Sequence, residues 1–129
     1  MGYSDSLIKG IEHIAIATTE PHRLADWYVK HLDCEVVLVT DNTVYIKSAN
    51  SVVLEFVRAQ NVLPRPQILD AGLRHIAFSV DDLEKAHARL EALGVQFESK
   101  PVVLPGMRLH FFRDLEGNVL HLIRRDKTL

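Results

Sequence analysis

Ile11-Glu12-His13-Ile14-Ala15-Ile16-Ala17 returns 62 residues later as Leu73-Arg74-His75-Ile76-Ala77-Phe78-Ser79. The ends of the two stretches rhyme as well, Val53-Leu54-Glu55-Phe56 returning as Val119-Leu120-His121-Leu122. The chain therefore carries two copies of one small unit. Each copy offers one potential metal ligand in its first strand and one in its last: His13 with Glu55, then His75 with His121. Matched polar residues inside apolar strands point to a four-ligand site between the copies.

Working outward from the first stretch, residues 11–18 alternate and branch as a strand does. A helix is expected from Pro21 to Leu32, with Thr19 as its N-cap and Pro21 in its first turn. Leu24, Trp27, Tyr28 and His31 or Leu32 recur at three- and four-residue spacing, so one helix face packs down. Strands follow at Glu35–Thr40, Thr43–Ser48 and Ser51–Arg58, separated by the turn residues Asp41-Asn42 and Ala49-Asn50. Residues 59–72, with Pro64, Pro66 and Gly72, read as a linker.

The order then restarts. A strand at Leu73–Val80 leads into a helix from Asp82 to Leu93, closed by Gly94. Strands are expected at Gln96–Ser99, Met107–Arg113 and Asn118–Arg125, with Leu115-Glu116-Gly117-Asn118 as the last turn. Each half is β-α-β-β-β: module one spans about 8–58 and module two 73–125, within a single domain of 129 residues. A four-stranded half-sheet with one helix leaves its other face to be covered, so two curved sheets would enclose a cleft. The expected class is α+β, two tandem βαβββ modules forming an open, cupped β-sheet barrel.

Composition narrows the function classes. The chain is 47% hydrophobic and 25% charged, with a formal net charge of −2. No basic surplus marks a nucleic-acid partner, and no Lys/Arg tract marks an anionic membrane. Apolar runs are strand-length, well short of the roughly 20 residues of a membrane helix. Met1-Gly2-Tyr3-Ser4-Asp5-Ser6 lacks the regions of a signal peptide. It fits only the loose myristoylation pattern, with no polybasic second anchor behind it. A lone cysteine, Cys34, permits no internal disulfide and suits a cytoplasmic location.

The period of two makes the site argument sharper. Glu55 shares its strand face with Val53 and Val57. A carboxylate between two valines is costly in an interior unless paired, so that face is solvated or Glu55 meets a cation. Three imidazoles and one carboxylate suit a divalent transition metal such as Zn, Ni, Co, Mn or Fe better than calcium or magnesium. An octahedral ion held by these four would keep two positions for a chelating small-molecule substrate.

At these residues the chain resembles the glyoxalase/bleomycin-resistance/extradiol-dioxygenase superfamily, the vicinal oxygen chelate proteins, over about residues 8 to 125. The resemblance rests on Glu12-His13-Ile14-Ala15-Ile16 and on Gly72-Leu73-Arg74-His75-Ile76-Ala77-Phe78-Ser79-Val80-Asp81-Asp82. Its third piece is Phe112-Arg113-Asp114-Leu115-Glu116-Gly117-Asn118, similar to the family's F-x-D-P-D-G-N approach with Leu115 in place of proline. The second piece is especially similar to small bacterial glyoxalase-like proteins. The resemblance implies paired βαβββ modules around a metal, ligands from the first and last strands of both, and homodimerisation.

His13, Glu55 and His75 match the ligands the resemblance implies, whereas His121 stands where glutamate is usual. That exchange leaves a divalent site near +1 instead of neutral, and removes the carboxylate that moves the substrate proton in glyoxalase I-like members. A coordinated imidazole has no free lone pair on its ligating nitrogen, so His121 could act as base only when detached. The resemblance thus implies a metal-dependent lyase or isomerase with His121 and Glu55 as the catalytic candidates. Its rivals are a metal-dependent thiol transferase or dioxygenase, and a metal-free sequestering protein.

Other residues read more plainly. Arg74 is expected on the sheet face opposite His75. Arg108 and His110 share one face of their strand, Met107, Leu109 and Phe111 the other, with Arg108 at the surface. Tyr45, Phe56, Phe97 and Phe112 read as core or pocket wall. His22, His31 and His87 on helices, and Glu116 in the last turn, are expected in solvent. Cys34 reads as a small buried hydrophobe.

Overall fold

The computed structural model describes residues 6–98 and 100–129. The N-terminal reading over Met1–Asp5 and the Ser99 end of the Gln96–Ser99 strand lie outside the described residues. The chain divides into two compact units, one ending at Val62 and the other comprising Leu63–Leu129. Each is an open four-stranded sheet with one helix, and the fold class is α+β.

The first unit runs β1 (His13–Thr18), α1 (Pro21–Leu32), β2 (Glu35–Val39), β3 (Thr43–Lys47) and β4 (Val53–Arg58). Strand order is β1-β4-β3-β2, with β1 parallel to β4 and the remaining pairs antiparallel. A parallel pair needs a crossover, which α1 begins. Alternation then sorts the side chains. Val44, Ile46, Leu54 and Phe56 are buried, as are Leu24 and Tyr28 of α1, while Val53, Glu55 and Val57 on the other face of β4 are half-buried. Tyr28 and Phe56 meet with ring centroids 4.9 Å apart. Each such buried side chain contributes about 1.5–3 kcal/mol from leaving water.

The second unit repeats the plan as β5 (Ile76–Ser79), α2 (Leu83–Ala92), β6 (Val102–Leu104), β7 (Met107–Arg113) and β8 (Val119–Arg125), in the order β5-β8-β7-β6. Leu83 and Leu90 of α2 are buried, with Phe112, Leu120 and Leu122 of the sheet.

Several boundaries depart from expectation. The N-cap of α1 is Glu20, not Thr19, and it makes no side-chain capping bond; Pro21, which has no N–H to satisfy, opens the helix instead. Helix α2 starts one residue later than expected because Asp82 is its cap, accepting from the Lys85 amide at 3.0 Å. Gly94, at φ +93°, follows the helix in the left-handed region where a glycine carries no penalty. The Gln96–Ser99 strand is replaced: only Phe97 bridges to Phe112, and the edge strand is β6. Pro105 and Gly106 turn β6 back so that Leu104 faces Met107, with Gly106 at φ +75° supplying the positive angle the turn requires. No helix among the described residues is long and apolar enough to cross a membrane.

Candidate functional site

Parallel pairing decides where the candidate ligands meet. On β1 and β4, His13 is level with Val53 and Ala15 with Glu55, so His13 and Glu55 share a sheet face, offset by two residues. His13 Nε2 lies 3.3 Å from Glu55 Oε1. On the other ring nitrogen, Nδ1 donates to Glu12 Oε1 at 2.7 Å. Glu55 Oε2 accepts a hydrogen bond from the Tyr45 hydroxyl at 2.9 Å, the two residues facing each other across β3 and β4. The Tyr45 ring stands edge-on to His13 at 5.7 Å.

The second unit reproduces this geometry. Ala77 is level with His121, and His75 directly precedes β5, which again gives a two-residue offset. The His75 and His121 rings are 4.6 Å apart. Phe111, facing His121 across β7 and β8, stands edge-on to His75 at 5.9 Å and to His121 at 5.0 Å. His121 is 4% exposed and its Nδ1 donates to the Leu122 carbonyl at 3.2 Å. That bond places the proton on Nδ1 and leaves Nε2 with its lone pair.

The structure thus brings the four candidates together as two pairs, one per unit. Within either unit, no group of three or more His, Cys, Asp or Glu is arranged to hold an ion among the described residues. The donor chemistry of each pair fits a transition metal. Donors about 2.1 Å from one ion, at octahedral to tetrahedral angles, lie about 3.0–3.4 Å apart. The 3.3 Å between His13 and Glu55 falls in that interval. In both His13 and His121 the outer nitrogen is held by an acceptor, which is the arrangement that orients a ligating imidazole.

The sequence profile of the Glyoxalase/Bleomycin resistance protein/Dioxygenase superfamily matches residues 10–122. The chain belongs to this superfamily. It is 32% identical over 128 residues to the uncharacterized protein YwkD of Bacillus subtilis (strain 168), covering 90% of this chain and 97% of that one. Among solved structures it is similar to the glyoxalase family protein from Enterococcus faecalis, at 28% identity and a TM-score of 0.75, covering 89% of this chain and 97% of the other. A mutant of the fosfomycin resistance protein FosX from Listeria monocytogenes, complexed with Mn(II) and 1S,2S-dihydroxypropylphosphonic acid, shares the fold at 17% identity and a TM-score of 0.71, covering 95% and 94%.

In this superfamily member the remaining candidates sort by sheet face. Arg108 pairs with Glu84 of α2 at 2.6 Å, on the face away from His121. Arg74 donates to the Gly72 and Gln67 carbonyls. Asp114, buried, accepts from the amides of Glu116 and Asn118 and from the Asn118 side chain, building the turn before β8. Burial pushes the Cys34 thiol up to about 11, so it is no nucleophile at neutral pH.

Three expectations are corrected. His31 is buried, donating from Nδ1 to the Trp27 carbonyl at 2.8 Å and stacking on that indole at 4.3 Å, because its spacing puts it on the packed face of α1. His87 stacks on His110 at 5.0 Å and lies against Phe97 at 4.2 Å instead of facing solvent. Glu116 is mostly covered, since Arg65 reaches both its carbonyl and its carboxylate. Tyr45 carries a polar role that a core reading missed; counting back along the β3–β4 hairpin from its turn would have set it opposite Glu55.

The two halves predict opposite titrations. The Glu12 hydrogen bond, with Glu55 adding its charge, raises His13 above the ordinary imidazole value of 6.5. Burial lowers His121 below it, with His75 and Arg125 adding repulsion. His13 therefore stabilises the fold below 6.5 and loses that contribution as pH rises through its folded value. His121 supports the fold above 6.5 and loses that support as pH falls through its own. Ring-proton NMR of metal-free protein is expected to order the midpoints His13 above His121; the reverse order would refute the environments assigned to them.

Proposed function

We propose that the chain is a divalent-metal-dependent lyase or isomerase of the glyoxalase type, acting on a small substrate that presents two neighbouring oxygens. The observation that carries this reading is the matched pair in each unit, a histidine at the head of the first strand beside a donor offset by two residues on the last. His13, Glu55, His75 and His121 would together hold one ion, Zn, Ni, Co, Mn or Fe. The Mn(II) bound by the FosX neighbour supports manganese among these candidates. The four ligands come from one 129-residue domain or from two chains of a homodimer.

The ion, when bound, supplies Lewis acidity that stabilises negative charge developing on a substrate oxygen. The protein's own residues do the rest. His121 is kept neutral by burial and presents Nε2 as a donor. Glu55 is the one carboxylate of the set and, with His121, the candidate to take up the substrate proton; its Oε2 accepts a hydrogen bond from the Tyr45 hydroxyl. With three neutral imidazoles and one carboxylate the site stays near +1, which selects an anionic substrate or hydroxide. The single, buried thiol accords with a cytoplasmic location.

The test is the metal content of protein purified without a histidine tag, followed by assay of the loaded protein against 2-oxoaldehyde–thiol adducts and epoxides. About one transition ion per chain is expected. Protein that holds no metal after reconstitution would overturn the enzyme reading in favour of a ligand-sequestering protein.

A further inference from the structure

The two units differ at one informative point. Tyr45 and Phe111 occupy equivalent positions, each facing the last-strand candidate ligand of its own unit across an antiparallel pair. Their rings are placed alike, edge-on to His13 at 5.7 Å and 82° and to His75 at 5.9 Å and 86°. Ring packing is therefore the same in both units. Only the hydroxyl differs, and it occurs where the facing ligand is a carboxylate, Glu55, and not where it is an imidazole, His121.

A carboxylate has two oxygens and can offer an ion one or both. The Tyr45 hydroxyl donates to Oε2 at 2.9 Å, while Oε1 faces His13 Nε2 at 3.3 Å. With Nδ1 donating to the Leu122 carbonyl, His121 has only Nε2 left to ligate and no choice to restrict, which is why a bare phenyl ring suffices beside it. Tyr45 is half-buried and Glu55 is 17% exposed, so this bond is better shielded from water than the Glu12–His13 contact, whose carboxylate is 91% exposed.

We infer that Tyr45 is a positioning residue that engages Glu55 Oε2 and so commits Glu55 to bind metal through Oε1 alone. The inference rests on the metal-site reading above. It assigns Tyr45 no contact with the substrate. It also accounts for a hydroxyl in one repeat and its absence in the other.

Cobalt(II) titration of the metal-free full chain, followed by visible d–d absorption, tests this on wild type and Tyr45→Phe. Loss of one hydroxyl from a half-exposed ring leaves the packing in place. The variant is expected to bind cobalt about 10- to 100-fold more weakly. Its bands should also fall in intensity, as Glu55 offers both oxygens and the coordination number rises. Phe111→Tyr, with no carboxylate to engage, should leave the spectrum unchanged. Identical affinity and spectrum for wild type and Tyr45→Phe would overturn the inference and leave the metal site standing. Wild type without cobalt bands would overturn the metal site and this inference together.

Discussion

His121→Ala is expected to lose at least about 100-fold in affinity for the bound transition metal, because losing a group that merely orients a ligand costs about 10- to 100-fold and this change removes a ligand itself. Linkage turns that loss into a stability readout. Metal at 1,000 times its dissociation constant adds about 4.1 kcal/mol to the folded state. A 100-fold loss of affinity removes about 2.7 kcal/mol of that. Wild type should therefore melt well above the variant when loaded, and chelator should remove most of the difference. Glu55→Ala should behave alike, since it deletes the only carboxylate of the four. His110→Ala serves as the contrast: it is a buried strand histidine too, but its ring stacks on His87 and lies tilted against Phe97 on the helix-facing side of β7. Its loss should lower stability equally with and without metal. Equal metal content in wild type and His121→Ala would refute the ligand assignment.

The repeat made most of this legible before any coordinates. Period-two alternation placed Glu55 on one face with Val53 and Val57, and the repeat matched His13 with His75 and Glu55 with His121, but the parallel register that sets each pair side by side is read from the structure. What escaped was decided by contacts that local pattern does not encode. Gln96-Phe97-Glu98 alternates as a strand should, yet Phe97 makes only one bridge, and the Glu98 carboxylate is engaged by Arg113. Val102-Val103-Leu104 does not alternate and is short, but the Pro105-Gly106 turn fixes it against β7. His31 shows a different failure. Its spacing from Leu24 and Tyr28 set it on the packed face of α1, and treating histidine as a surface residue overrode that geometry. The carbonyl of Trp27 makes burial tolerable by accepting the Nδ1 proton.

Phe56→Ala is expected to destabilise the first unit by about 3–5 kcal/mol, the range for removing a fully buried aromatic side chain. Phe56 is 0% exposed, on the face of β4 that carries Leu54, and it meets Tyr28 of α1. Tyr28 is 0% exposed as well, so its ring cannot follow the missing phenyl without dragging the helix off the sheet. The cavity should therefore persist. Nature of the probe matters here: Trp27 is the chain's single tryptophan and lies beside Tyr28, with ring centroids 5.4 Å apart. Its fluorescence reports on the helix whose seat is being removed. With a urea slope of about 2 kcal/mol per molar, the midpoint should fall by about 2 M and the slope should hold. A fall below about 0.5 M would mean that α1 settles into the space, and that its grip on the sheet comes from Leu24 with Val44 and Ile46 instead of the Tyr28–Phe56 contact.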